Sequence, residues 1–349
     1  MACIKGIGII SAAGPGREDF RAALETGKAT SMPGGFRVDL KKADRSDLKN
    51  LRRADRFSKL SVLAAKEALR DASLSPGSGA IEAGVILCTA LGPHPTTFKF
   101  LDDIIQYGDK AVSPTTFSSS VHNAAASYIA SECGIEGPTL TVTQFFLSFH
   151  EGLALGLSWL SEGRVKRVLL GAVDEHGEVL EYVASRLLSH SVDGILRPLD
   201  ISPGKMKKHV PGEGAAFMVL DTMTDGAYCS VGVETGFGIA PSGDDNSLLL
   251  LDSDGLIKDE SLYLELAAGG APVASYASYY GSIMSGSAFN AAAGAIVLRD
   301  SKVFPCPALS EGGRQGIKVA DENTAPPSSI EVLRLNCSGR RGIVRLFAL

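Results

Sequence analysis

The stretch with the most potential for chemistry runs over residues 137–163, GPTLTVTQFFLSFHEGLALGLSWLSEG. A short β-branched run at 139–142 predicts a buried strand, and from about Leu147 apolar residues fall on most sides of a predicted helix. A sharp strand-to-helix turn holds one side chain at the helix N-terminus, where free N–H groups stabilise a thiolate or an oxyanion. The turn offers Thr143, Gln144, Phe145 and Phe146. The position suits a nucleophile, but none of these residues is a cysteine or an activated serine.

Histidines and acidic residues elsewhere give weaker signs of chemistry. An Asp-Glu-His triplet at 174–176 follows an apolar run at 168–173, and such a triplet suits acid–base catalysis or metal binding. Three adjacent side chains on an extended segment do not converge, so we interpret the triplet as the polar end of a strand. For His122 we expect a core or capping role, and for His150 a satisfied core position. The basic run KMKKH at 205–209 predicts a solvated loop, with contact to an anionic carrier as the alternative.

The elements that must position these residues follow an α/β pattern. An amphipathic helix is predicted at 58–72 and a helix of small residues at 114–129. Strand-like runs occur at 4–10, 83–89, 139–142, 168–173, 215–220, 230–234, 248–251, 295–298, 331–335 and 342–347. Only a few polar residues separate Gly243 from Leu248, so no crossover helix fits there.

Composition excludes several classes of protein. Hydrophobic residues make up 45% of the 349 residues and the net charge is −5, which gives no basic surface for nucleic acid. The apolar runs are far shorter than a membrane span and no signal peptide is evident, so we expect a cytoplasmic protein. The six cysteines show no CxxC pairing, which argues against a zinc site and a disulfide framework. We expect no metal and no cofactor.

Short motifs follow one another in a specific order along nearly the whole chain. They are Gly6-Ile7-Gly8, Arg53-Ala54-Asp55-Arg56-Phe57, Val112-Ser113-Pro114, Asn123-Ala124-Ala125-Ala126, Gly137-Pro138, Arg197-Pro198-Leu199-Asp200, Gly212-Glu213-Gly214-Ala215 and Ala291-Ala292-Ala293-Gly294. Each motif alone is weak. Their order and spacing resemble those of the β-ketoacyl synthases, the condensing enzymes of fatty-acid and polyketide assembly.

The resemblance implies a thiolase-like α/β fold. Such a fold has two similar βαβ-rich halves in a layered αβαβα arrangement, here assigned to residues 1–225 and 226–349, and it normally forms a dimer. The second half is shorter than the first, as its missing crossover helix also indicates.

The resemblance further implies a cysteine nucleophile and two histidines, and this sequence has none of them in place. Counting without a gap from Gly137-Pro138 puts Phe146 at the cysteine position, and an aromatic ring cannot form a thioester. The histidine positions fall on Asp254 and Ala288, or on Ser287 if the loop is shifted by one residue. No histidine follows His209 anywhere in the chain. Ordinary condensation is therefore expected to be absent.

The family's glycine-rich gate is also altered. It corresponds to residues 336–342, where Gly339 and Gly342 are kept and Arg340 stands in place of the aromatic gatekeeper. The lysine expected before the second histidine is missing, with Ile283 nearest to it. A salt bridge between Asp254 and Arg340 is one interpretation of these changes, and drift at an unused site is another.

Three functions remain open from the sequence. The first is a non-catalytic subunit that resembles a chain-length factor and pairs with an active ketosynthase. The second is an acyl transferase or hydrolase that uses Ser287, Ser148 or Cys337 with Asp254. The third is a homodimeric acyl-binding scaffold. The candidate partners are a ketosynthase-type subunit, in a homodimer or heterodimer, and an acyl-carrier protein. The candidate acyl-pocket residues are Phe145, Phe146, Phe149, Ser287, Gly339 and Arg340.

Overall fold

The computed structural model describes residues 1–244, 246–306 and 317–349. Its strands are β1 (Ala2–Ile10), β2 (Gly84–Thr89), β3 (Thr139–Thr143), β4 (Arg167–Asp174), β5 (Ser189–His190), β6 (Lys208–His209), β7 (Gly214–Asp221), β8 (Cys229–Gly236), β9 (Ser247–Leu251), β10 (Val273–Ala274), β11 (Ser329–Leu335) and β12 (Arg341–Phe347). Its α-helices are α1 (Arg17–Thr26), α2 (Arg56–Asp71), α3 (His94–Tyr107), α4 (Pro114–Ser119), α5 (Ala124–Cys133), α6 (Ser148–Ser161), α7 (Glu178–Leu187), α8 (Ser261–Ala267) and α9 (Ser287–Asp300).

One strand order occurs twice. In the first half it is β3-β2-β4-β7-β1, and in the second half it is β10-β9-β11-β12-β8. In each half the first three strands are parallel and the last two pairings are antiparallel. The halves join where β1 pairs antiparallel with β8. This duplication agrees with the two similar halves that the resemblance implies; the boundary between residues 225 and 226 stays a proposal.

Helices α6 and α9 form the central layer because both of them contact strands of both halves. Helix α9 is buried on all sides from Ser287 to Leu298, which suits a helix enclosed by two sheets. On the outer face of the first half, α2 packs against β1, β4 and β7. Gly8 permits this contact, since a Cβ there would lie 2.0 Å from the Ala64 carbonyl oxygen.

No helix that corresponds to α2 occurs among the residues described in the second half. The described residues between β8 and β9 form no helix, as the short polar connection predicted. Part of the outer face of this sheet carries ion pairs instead: Arg345 contacts Glu331 at 2.8 Å and Glu234 at 2.6 Å. The main-chain N–H of Ser242 also donates to Glu331. The ion pairs cover one part of this face, and the rest of it is apolar: Leu249, Leu333 and Ile343 pack there with Tyr263 of α8.

Two predicted elements were wrong. Residues 295–298 lie inside α9 and not in a strand, because an apolar β-branched run is equally compatible with a fully buried helix. The helix predicted at 114–129 is divided into α4 and α5 by a turn at 120–123. Within the described residues, no helix is long and apolar enough to cross a membrane.

Candidate functional site

The strand, turn and helix predicted around residue 145 are present. Strand β3 ends at Thr143, a single 3-10 turn spans Phe145–Leu147, and α6 begins at Ser148. Phe145 has a φ of 36°, a left-handed conformation that is rare for a bulky residue. Its side chain is exposed, whereas that of Phe146 is half-buried and faces a cleft. The geometry of a nucleophile turn exists without a nucleophile.

The cleft beside Phe146 has a volume of about 330 Å³. Helix α7 forms one apolar wall, and the ends of β2 and β4 form another. The lining includes Leu91, His94, Phe146, Glu175, His176, Leu180, Val183, Leu187, His209, Ile283, Met284 and Cys337. Such a volume with a mainly aliphatic lining suits a small acyl ligand.

Asp254, at a position where the family resemblance implies a histidine, forms a buried ion pair. The Arg334 guanidinium donates to the Asp254 carboxylate at 2.9 Å and to the Asp252 main-chain carbonyl at 2.9 Å. Both side chains are almost completely buried. The same guanidinium lies 5.0 Å from the centre of the Phe146 ring, within cation–π range. The position of the implied histidine is thus occupied by an ion pair within the chain, which packs against the Phe146 ring.

The predicted salt bridge between Asp254 and Arg340 does not form, so that interpretation is wrong. Arg340 donates to Glu151 at 2.6 Å and to Thr235 at 3.2 Å, away from Asp254. Asp254 instead pairs with Arg334 on β11, and β11 is the parallel neighbour of β9 in the sheet.

Two of the three proposed nucleophiles are buried and already hydrogen-bonded. Ser287 is fully buried and donates to Asp252, whose other carboxylate oxygen accepts from Asn290. Ser148 is also buried and donates to the Phe145 carbonyl at 3.3 Å. Cys337, by contrast, is exposed and lines the cleft. Ala288, the position of the second implied histidine, is fully buried and offers no polar atom.

The acyl-pocket candidates do not converge. Of the six, only Phe146 lines the cleft. Phe149 belongs to the main core, Phe145 faces outward, and Gly339 and Arg340 lie at the β11–β12 hairpin. The three phenylalanines around the turn therefore do not fill one pocket together.

His150 is buried, as expected, but its ring is not satisfied by hydrogen bonds. Neither ring nitrogen has a hydrogen-bond partner among the described residues. Burial and the nearby Arg334 lower the pKa of His150 to about 3, so the ring is neutral. It occupies the space opposite Gly342, where a Cβ would lie 2.5 Å from a ring carbon. His122 is exposed and has no core role.

We expect Gly342→Ala to lower the free energy of unfolding by about 1–3 kcal/mol, because the new methyl group collides with the buried His150 ring. Gly232→Ala on the neighbouring strand β8 is the control, since nothing lies within 4 Å of its Cβ position. Urea unfolding of both variants measures the difference. Equal losses would contradict the packing of His150 against Gly342.

The polar part of the cleft was not predicted from the sequence. The 174–176 triplet was set aside as the polar end of a strand, yet Asp174, Glu175 and His176 all line the cleft, with His94 beside them. A signal existed, because β2 and β4 are parallel neighbours and the residues after their C-terminal ends meet. Asp174 links the end of β4 to the end of β2 and to the segment before α9, because its carboxylate accepts from the Thr89 hydroxyl at 2.9 Å and from Ser285.

The basic run at 205–209 is only partly solvated. Lys207 is buried and donates to Ser253 at 2.6 Å, and it lies 3.2 Å from Glu260. His209 is also buried, and its Nδ1 lies 2.8 Å from the Ser189 carbonyl. Within 1–244, 246–306 and 317–349, no three His, Cys, Asp or Glu side chains are arranged as metal ligands.

Comparison with known families places this geometry in context. The model of the β-ketoacyl synthase N-terminal domain matches residues 17–226, which is more than half of the chain. Nodulation protein E of Rhizobium meliloti (strain 1021) is 30% identical over 177 residues, covering 50% of this chain and 43% of that protein. The 3-oxoacyl-[acyl-carrier-protein] synthase 2 of Coxiella burnetii is 25% identical over 240 residues, covering 63% of this chain and 57% of that protein. The chain thus spans about half the length of the curated relatives it matches.

Solved structures give the same fold over the full chain. The ishigamide ketosynthase/chain length factor is similar with a TM-score of 0.80 at 18% identity, covering 100% of this chain and 99% of that one. A β-ketoacyl synthase from Burkholderia phymatum STM815 gives a TM-score of 0.77 at 15% identity, with the same coverage. These likenesses confirm the thiolase-like α/β fold expected from the sequence.

Proposed function

Because the chain belongs to the β-ketoacyl synthase family, we propose that it is a non-catalytic, chain-length-factor-like partner of an active ketosynthase. The pathway would be of the fatty-acid or polyketide type, with aryl polyene synthesis as one example, in the cytoplasm. The observation that carries the proposal is the Arg334–Asp254 ion pair packed against the Phe146 ring. This contact stands where a condensing enzyme needs a thiolate and free polar groups.

The chemistry supports an absence of condensation. Carbon–carbon bond formation by this family requires a nucleophile that forms a thioester, and Phe146 cannot supply one. It also requires groups that stabilise a developing enolate. Asp254 carries the wrong charge for that task and is already bound to Arg334. Chain elongation would therefore take place on the partner.

The free edge of the sheet supports a partner subunit. Strand β3 is an edge strand, and its sequence TLTVT is largely exposed in the single chain. Leu140 on this strand and Phe145 just after it are exposed apolar residues. An unpaired strand edge with exposed apolar side chains is a template for pairing with another chain. We propose that a ketosynthase-type subunit, or a second copy of this chain, pairs along β3.

A basic surface supports contact with an acyl-carrier protein. Lys49, Arg52 and Arg53 are all exposed on the segment before α2, in a chain whose net charge is −5. Local positive charge of this kind attracts an acidic partner and speeds its association. We propose that the carrier docks on this basic surface.

The test is co-expression of this chain with the ketosynthase encoded nearest to it, with a tag on one chain only. We expect stoichiometric co-purification and malonyl elongation that requires both chains. Elongation should survive Phe146→Ala in this chain and be lost when the partner's cysteine is replaced by alanine. Elongation by this chain alone would overturn the proposal, and a stable homodimer that ignores the ketosynthase would favour the acyl-binding scaffold.

A second candidate function is an acyl transferase or hydrolase that uses Cys337. This residue is favoured over Ser287 and Ser148 because it alone among them is exposed and lines the cleft. The thiolate form would attack an acyl thioester and release the carrier thiol. Incubation of the chain with decanoyl-N-acetylcysteamine followed by intact-mass analysis detects the acyl adduct. Cys337→Ser would abolish that adduct if this function is correct.

A further inference from the structure

His209 has the geometry of a general base that opens into the cleft. Its ring is buried and lines the cleft, and its Nδ1 lies 2.8 Å from the Ser189 carbonyl oxygen. A carbonyl oxygen can only accept a hydrogen bond, so Nδ1 carries the proton and donates. Nε2 of the neutral ring is then an acceptor, and no described residue hydrogen-bonds to it. The Ser189 carbonyl thus fixes both the tautomer and the orientation of the base.

The His209 ring is uncharged near pH 7, as a general base must be. Burial is the main cause that lowers the pKa of His209, and the neighbouring His190 lowers it further. The hydrogen bond to Ser189 acts in the opposite direction. The other titratable side chains that line the cleft are those of His94, Asp174, Glu175, His176, Glu181 and Cys337. His209 is therefore free to accept a proton at neutral pH.

Cys337 is a nucleophile that lines the same cleft. Its thiol is exposed, and the residue lies in the turn after β11. Strand β11 is the parallel neighbour of β9, and His209 packs against the segment that follows β9: a Cβ on Gly255 would lie 3.0 Å from the His209 main-chain nitrogen. Residues that follow parallel strands meet at one edge of the sheet. The thiol and the imidazole thus belong to the same edge.

A second feature of the cleft indicates a polar ligand. His94, Glu175 and His176 are each less than a tenth exposed, and both nitrogens of each ring and Oε2 of Glu175 lack hydrogen-bond partners among the described residues. Buried polar atoms are nearly always paired. Burial raises the pKa of Glu175 to about 8, so its carboxyl is protonated and can donate. A thioester supplies a carbonyl oxygen for such a donor, and the apolar wall of α7 receives the acyl chain.

We propose that His209 is the general base for the Cys337 thiol and that these two residues hydrolyse acyl thioesters in the cleft. Nε2 of His209 takes the thiol proton while the sulfur attacks the thioester carbonyl carbon. The bond between that carbon and the leaving sulfur breaks, and the proton passes from His209 to the leaving thiolate. The inference rests on the second candidate function in one respect, which is that the Cys337 thiol attacks an acyl thioester. It adds the base and the fate of the acyl group.

Water completes the reaction because Cys337 is exposed. Nε2 takes a proton from a water molecule as the water oxygen adds to the acyl carbon. The bond between this carbon and the Cys337 sulfur then breaks, and the proton returns to the sulfur. The products are a free carboxylic acid and the restored thiol. Such an activity removes acyl groups from a carrier thiol.

The test measures release of decanoic acid from decanoyl-N-acetylcysteamine by the full chain at pH 7.5. We expect repeated turnover by the wild type and its loss in Cys337→Ser. His209→Asn should slow formation of the acyl adduct about 100-fold, which is typical of losing a general base. Asparagine can still donate to the Ser189 carbonyl, so it replaces the buried donor. Circular dichroism melting verifies that the variants are folded.

His190→Asn is the matched control for His209→Asn. His190 lies beside His209 with its ring 5.2 Å away, but it is exposed and does not line the cleft. It should keep the wild-type rate of adduct formation. An equal loss of rate in both variants would show that disturbance of the β5–β6 pair, and not removal of a base, is the cause.

The pH profile separates a base from a structural role. Because the pKa of His209 lies below 6.5, the wild-type rate of adduct formation should change little between pH 6.5 and pH 7.5. In His209→Asn the thiol must ionise without help. Its rate should therefore rise about tenfold over the same range, with the fraction of thiolate.

The outcomes distinguish this inference from the functions on which it builds. Equal rates of adduct formation at Cys337 in the wild type and His209→Asn would overturn the role of His209 and leave the second candidate function in place. No adduct at Cys337 would refute both. An adduct that persists without release of decanoic acid would refute hydrolysis. Pairing with a ketosynthase is measured separately by co-purification, so none of these results decides it.

Discussion

Replacing Arg334 by methionine is expected to lower the free energy of unfolding by about 3–5 kcal/mol. The guanidinium is completely buried and pairs with Asp254 at 2.9 Å. Methionine keeps an unbranched apolar side chain but removes the charge, the donors and the volume of the guanidinium, including its contact with the Phe146 ring. Asp254 would remain buried with no cation, and ionised carboxylates are very costly in that state. Equilibrium urea unfolding measures the loss.

A second carboxylate increases the effect of this substitution. Burial raises the pKa of Asp252 to about 6, and Arg334 is the largest of the influences that oppose this rise. Without Arg334, the pKa of Asp252 should rise further, and protonation of the two acids would relieve part of the cost. The Arg334→Met variant should therefore lose less stability relative to wild type at pH 5 than at pH 8.

The double variant Asp254→Asn/Arg334→Met separates loss of charge balance from loss of packing. Asparagine can still accept from the Leu256 main-chain N–H, which contacts the Asp254 carboxylate at 3.2 Å. We expect the double variant to recover at least half of the stability lost by Arg334→Met.

Arg345→Met on β12 is the matched control, because that arginine is partly exposed and Glu331 keeps its Ser242 donors. Its cost should be about 1 kcal/mol or less. If the control loses as much as Arg334→Met, burial of the ion pair is not the cause.

The sequence and the structure agree best where local patterns decide the outcome. The β-branched run before Thr143 and the apolar helix after Leu147 define the turn without any distant contact. The short polar stretch after Gly243 likewise predicted no crossover helix before β9, and the described residues between β8 and β9 form none. Both features follow from properties of a short segment.

The contents of the site depend on pairings between distant segments, which no short segment reveals. Asp254 follows β9 and Arg334 lies on β11, and these parallel strands are neighbours only after the fold has formed. The sequence did contain a clue, because Arg334 interrupts the otherwise apolar end of a buried strand, VLRL. A charge at such a position requires a buried partner. Pairing Arg340 with Asp254 failed because Arg340 lies in the hairpin, where Glu151 of α6 is its neighbour.

The polar cleft residues were missed for a related reason. His94 and Glu175 are 81 positions apart in number, and they meet because parallel strands bring their C-terminal ends to one edge of the sheet. On an isolated extended segment, the three adjacent side chains of the 174–176 triplet would diverge. The cleft is built from several such segments, so convergence arises between strands and not within one.

The other large effect concerns association through the free edge of β3. Thr141→Pro should weaken binding to the partner subunit about 100-fold, or roughly 3 kcal/mol. The Val85 N–H donates to the Pro138 carbonyl at 2.9 Å, so the main-chain groups of Leu140 and Val142 also face β2. Those of Thr141 face the free edge. Proline there removes an outward donor and leaves the pairing with β2 intact.

Thr141→Val is the control for this substitution, because valine keeps the N–H and favours a strand. It should co-purify with the ketosynthase as the wild type does, while Thr141→Pro should elute as a separate, folded chain on light-scattering chromatography. Leu140→Pro should instead unfold the edge of the sheet, since its N–H faces β2. These three different outcomes for Thr141→Val, Thr141→Pro and Leu140→Pro are expected only if the partner pairs along β3. A Thr141→Pro chain that still co-purifies would place the interface on another surface, and the exposed apolar face of α7, with Tyr182 and Leu187, would then be the next to examine.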